Sequence, residues 1–83
     1  MSRIERIQQL LQTLQPTQLQ VIDDSHQHVG HAGAKSGGGH FTVKIASPLF
    51  VGKTRIQSHQ LVYQAVDAMM SGEIHALAIQ IKN

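Results

Sequence analysis

The chain has no cysteine among its 83 residues, so it can form no disulfide, no thiolate metal site and no cysteine nucleophile of its own. Iron-sulfur chemistry would require thiolates from a partner. It also lacks any apolar run long enough to span a bilayer, and its first residues, MSRIERIQQLLQTL, alternate charge with apolar positions unlike the continuous apolar region of a signal peptide. A cytoplasmic protein with no membrane association is the expectation. Carboxylates are scarce: five acidic residues face seven basic ones, a net charge of +2. The high isoelectric point therefore reflects few acids more than a basic surface, and it permits nucleic-acid binding without indicating it. Repeats are absent, and the length fits a single domain over 1–83 with one core at most.

What is present is concentrated between Asp23 and Phe41. DDSHQHVGHAGAKSGGGHF holds four of the six histidines on one Gly-rich connection. Imidazole is the commonest metal ligand and titrates near neutrality, so this connection is the first place to look for function.

Periodicity supplies the elements. Ser2 and Glu5 have capping-box spacing, and Ile4, Ile7, Leu11 and Leu14 recur at helical intervals, which predicts a helix from Ser2 to Leu14 ended by Pro16. Leu19 and Val21 alternate with glutamines in a first strand reaching Asp24. Phe41, Val43 and Ile45 alternate with Thr42 and Lys44 in a second, His40 to Ala46. Ser47 to Gly52 reads as a turn or one helical turn. Thr54 and Gln57 repeat the capping box, and Ile56, His59, Tyr63, Val66 and Met70, joined by Val62 and Met69, mark one face of a long helix ending near Gly72. Leu77, Ile79 and Ile81 define a last strand from His75. The order helix, strand, strand, short helix, long helix, strand predicts an α+β sandwich, a three-stranded sheet with helices on one face.

Three apparent motifs fail on context. Gly52-Lys53-Thr54 resembles the end of a phosphate-binding loop, but the first motif glycine falls at Ser47. Gly30-His31-Ala32-Gly33 spells the GxxG of an RNA-binding KH loop, yet lies between strands and not between helices. Asp24, Ser25 and His26 are too close in sequence to stack as a hydrolase triad. No catalytic set survives, and the reading is of a protein that is not an enzyme. His26, His28 and His31 have spacing that would hold zinc, nickel or copper loosely, although solvated loop histidines are the plainer reading. His40 is expected on the sheet face opposite Phe41, His59 within the core, and His75 on the same side of its strand as Leu77.

DDSHQHVGH, GGGHFTVKIAS, FVGKT, SHQLVYQAV and EIHALAIQI together resemble the successive motifs of BolA proteins, in the same order and over essentially the whole chain. The resemblance implies the α-β-β-α-α-β arrangement of class II KH-like folds. It implies an adaptor that forms a heterodimer with a monothiol glutaredoxin and shares with it a 2Fe-2S cluster, held on one side by the glutaredoxin cysteine and glutathione. On the other side it implies His75, the histidine of the His-Ala-Leu strand, and a loop ligand that matches His31 best. Two imidazoles replacing two thiolates on one iron raise a cluster's potential, and a cysteine-free chain suits that version. No cluster is expected on the isolated chain. The family also includes transcription regulators, and the alternative implied function is DNA binding through a helix-turn-helix-like segment, 47–70, with Lys53 and Arg55 reaching phosphates. Ser58 and Gln60 stand where basic residues commonly flank the long-helix histidine, which weakens that alternative.

Overall fold

The computed structural model describes residues 2–24 and 39–82. Helix α1 (Arg3–Leu11) starts at a complete capping box: the Glu5 amide donates to Ser2 Oγ at 3.1 Å, and the Ser2 amide donates to the Glu5 carboxylate at 3.3 Å. These contacts satisfy two amides that a helix start leaves without intrahelical partners. The helix tightens into a 3-10 turn at Gln12–Leu14 and stops at Gln15, whose φ of 53° and ψ of 54° are left-handed. Pro16 thus ends the helix as expected, but its predecessor leaves the right-handed region through the left-handed well and not by extending.

Strands β1 (Gln18–Asp23), β2 (Gly39–Ala46) and β3 (Ile74–Ile81) form one sheet in the order β1-β2-β3. The pair β1 with β2 is antiparallel and β2 with β3 parallel. A parallel step requires a crossover, and the helical segment between β2 and β3 supplies it. It consists of a 3-10 turn at Pro48–Phe50, α2 (Arg55–Ala65) and the four-residue α3 (Asp67–Met70). The long helix read from the sequence is therefore broken at Val66, where φ is −104° and ψ 14°.

Alternation along β2 divides the sheet into two faces. Phe41, Val43 and Ile45 are buried on the helix side with Ile7, Leu11, Val62, Val66, Met69 and Ile74, and His40, Thr42 and Lys44 face the other way. Removing the Phe41 side chain from such a core costs about 3 to 5 kcal/mol. The buried side of α2 differs from the expected one. Ser58 and Val62 are its buried residues, whereas Ile56 is 71% exposed and Tyr63 40% exposed. The helix turns its face toward α1 and the 3-10 turn before β1, and the small Ser58 is enclosed there in place of Ile56. Tyr63 instead reaches the sheet edge, where its hydroxyl donates to the Leu77 carbonyl at 3.2 Å and covers part of the edge strand β3.

Candidate functional site

The site begins with an irregularity in β3. Gly39 stands opposite Ile74 and His40 opposite Ala76, so His75 is one residue too many on its strand. Such a bulge reverses the alternation. Ile74 and Leu77, on opposite faces in a regular strand, therefore both turn inward, and His75 is exposed. The expectation that His75 shares the side of Leu77 is corrected by this bulge, as is the strand start, which lies at Ile74.

Turned outward, the His75 ring meets that of His40, with centroids 5.1 Å apart and planes tilted by 52°. His40 does lie opposite Phe41 as expected. Its pairing with His75 could not be read from the chain, since the two come from strands whose register was unknown. Asp24, just past the end of β1, completes the row: its amide donates to the His40 carbonyl at 2.7 Å, and its carboxylate accepts from the Thr42 hydroxyl. Asp24, His40 and His75 thus follow one another across the same end of the sheet. Among the described residues no three histidine or acidic side chains converge closely enough to hold a metal ion by themselves. The two imidazoles are held beside one another by adjacent paired strands.

This end is braced from behind. Arg6 on α1 forms an ion pair with Glu73, the residue before β3, and the Gly39 amide donates to the Glu73 carbonyl at 3.0 Å. Glu73 therefore ties α1 and the start of β2 to the strand end that carries His75. The ion-pair partners stand 67 positions apart in the chain, and no local spacing announces them.

The described residues that bound 25–38 are Asp24 and Gly39, next to His40 at this end of the sheet. His26, His28 and His31 lie outside the described residues. His59 is on α2, half-buried, and lines a cleft at the opposite end of the sheet with Lys53 and Arg55, so it is neither a core histidine nor near His75.

Residues 10–83 match the family described as BolA-like protein. The chain belongs to the BolA family. It superposes on the solved structure of BolA1 from Arabidopsis thaliana with a TM-score of 0.83 and 38% identity, covering 99% of this chain and 92% of that one. It is 36% identical over 76 residues to the DNA-binding transcriptional regulator BolA of Escherichia coli, covering 90% of this chain and 70% of that protein. It is also 37% identical over 87 residues to SufE-like protein 1, chloroplastic/mitochondrial, of Arabidopsis thaliana, covering 98% of this chain. The chain spans about a quarter of that relative's length (24%). The α+β fold with its three-stranded mixed sheet is therefore that of BolA proteins, as the motifs implied. Among the described residues no helix is long and apolar enough to cross a membrane.

Proposed function

We propose that the protein is a non-enzymatic adaptor of iron-sulfur or iron homeostasis, acting in the cytoplasm as a heterodimer with a monothiol glutaredoxin. His75 and His31 would hold this chain's side of a shared 2Fe-2S cluster, with the glutaredoxin cysteine and glutathione on the other. The observation that carries the reading is the exposed His75 ring, turned outward by the bulge and packed beside His40.

The donor chemistry fits. Each imidazole offers one neutral nitrogen lone pair, and with no thiolate in the chain the pair supplies a histidine-only half-site. When bound, such a cluster supplies a one-electron couple at a potential raised by imidazole ligation. His75 presents its ring to solvent from a strand end, where a partner's surface can reach it. His40 limits the directions that ring can take, and the Arg6–Glu73 pair steadies the strand beneath it. A chain without cysteine holds no stable cluster alone, because nothing in it anchors iron as thiolate does.

Reconstitution tests this reading. The chain mixed with a monothiol glutaredoxin, glutathione, iron and sulfide is expected to give a heterodimer whose visible circular dichroism differs from that of the glutaredoxin cluster alone. His75→Ala abolishes that species, while His31→Cys keeps a cluster with a shifted spectrum. An unchanged spectrum in the His75→Ala, His31→Ala double variant would show that the histidines are not ligands.

A second reading, a transcription regulator, is favoured by one observation: Lys53 and Arg55 line a common cleft with Lys82. Their small number predicts weak duplex binding that falls with salt and shows little sequence preference. Submicromolar, sequence-selective binding at physiological salt would reverse the order of the two readings.

A further inference from the structure

At the end of the sheet away from His75, the start of α2 and the end of β3 border a cleft of about 590 Å³. Its charge is of one sign. Lys53, Arg55 and Lys82 line it together with His59, and none of the chain's five acidic residues does. Among the described residues none of the three cations is seen paired with a carboxylate. Holding like charges around one concavity is unfavourable in the absence of an anion.

Two further sets of donors border the same space. Ser58 is 3% exposed and lines the cleft; its amide donates to the Thr54 carbonyl at 2.9 Å, but its hydroxyl makes no hydrogen bond among the described residues. Among the described residues the one fully enclosed side-chain oxygen without a partner is Glu73 Oε2, so the Ser58 hydroxyl is a donor that a ligand oxygen can engage and not a buried orphan. The capping box of α2 uses the Thr54 and Gln57 amides, at 3.0 and 3.1 Å, and leaves those of Arg55 and Ile56 for another acceptor at the positive end of the helix dipole. Ile81 gives the cleft an apolar wall beside these donors.

We propose that this cleft binds a small phosphomonoester of mononucleotide size. The phosphate would lie between Lys53, Arg55 and Lys82 and accept from Ser58 Oγ, with the organic group against Ile81. A guanidinium engages two phosphate oxygens at once, and with the two ammonium groups the cleft carries one positive charge more than a phosphomonoester dianion carries negative. The volume lies in the range of small-molecule sites. None of these groups is a proposed cluster ligand, so the cleft stands or falls independently of the cluster.

The test follows backbone amide resonances of the full chain at constant ionic strength. Inorganic phosphate, adenosine 5′-monophosphate and a duplex oligonucleotide lacking terminal phosphates are titrated separately. Saturable shifts confined to Lys53, Arg55, Ser58, His59 and Lys82 are expected with the first two, and the nucleotide is expected to bind more tightly than phosphate. Lys82→Gln should weaken nucleotide binding about tenfold, and Ser58→Ala by a smaller factor, as loss of hydrogen bonds to a charged group predicts. Absence of saturation with either small ligand overturns the proposal. Shifts produced only by the duplex overturn it in favour of a nucleic-acid surface, and a Lys53→Gln, Lys82→Gln double variant that keeps its nucleotide affinity overturns it as well.

Discussion

The two ends of the sheet are built from opposite materials. At one, β2 and β3 begin and β1 ends, and the groups presented are imidazoles and a carboxylate: His40, His75 and Asp24. At the other, β3 ends beside the start of α2, and the groups are ammonium, guanidinium and hydroxyl. About seven residues of strand, roughly 23 Å at the usual rise, separate His75 from Lys82. The first end offers lone pairs and suits a cation or metal cluster; the second offers protons and suits an anion. If both proposals hold, one parallel strand pair carries two sites that do not compete for a ligand.

The largest effect is expected where the two ends share material. Phe41 lies in the central strand, one residue from His40, and is 2% exposed within the core. Phe41→Ala should cost about 3 to 5 kcal/mol, a large share of what a domain of this size possesses, and should disable both ends together. Urea denaturation measures the loss. A variant that unfolds no more readily than the parent would mean that the core is not organised around this strand.

Separation of the ends is the next comparison to break. His75→Ala should eliminate the heterodimer's cluster spectrum and leave nucleotide shifts at Lys53 and Lys82 as they are. Lys82→Gln should do the reverse. His40→Ala should destabilise the cluster without abolishing it, because aromatic ring contacts of this kind contribute only about 0.5 to 1.5 kcal/mol. If Lys82→Gln also removed the cluster spectrum, the two ends would be coupled and not separate.

The sequence was most legible where a structure depends on neighbours along the chain. Both capping boxes, the alternation of Phe41, Val43 and Ile45, and the stop at Pro16 are local, and each occurs within a residue or two of its expected place. What was not legible depends on register and on packing between elements. The bulge at His75 exists only relative to β2, and regular alternation assigns that residue to the wrong side. Val62, Val66 and Met69 of the expected stripe are buried, yet Ile56 and Tyr63 are not, because the direction in which α2 turns is decided by α1 and the preceding 3-10 turn, which enclose Ser58 instead. Of the proposed cluster ligands, His75 is found exposed at a strand end and His31 lies outside the described residues. The partner ring of His40 was missed for the same reason as the bulge.

An effect of similarly modest size bears on how the basic end is held. Gly52 has a φ of +80°, a left-handed conformation that a side chain disfavours, and a Cβ added there would meet nothing within 4 Å. Gly52→Ala should therefore cost only its backbone conformation, about 1 to 2 kcal/mol, with no clash to relieve. The turn it closes delivers Lys53, whose amide donates to the Phe50 carbonyl at 3.1 Å, to the cleft. Thermal unfolding should show a drop of several degrees, and nucleotide affinity should fall as Lys53 loses its fixed position, while the cluster spectrum stays that of the parent. Equal losses at both ends would mean that the turn matters for the fold as a whole; a loss at the basic end alone would show that this glycine positions one site of the two.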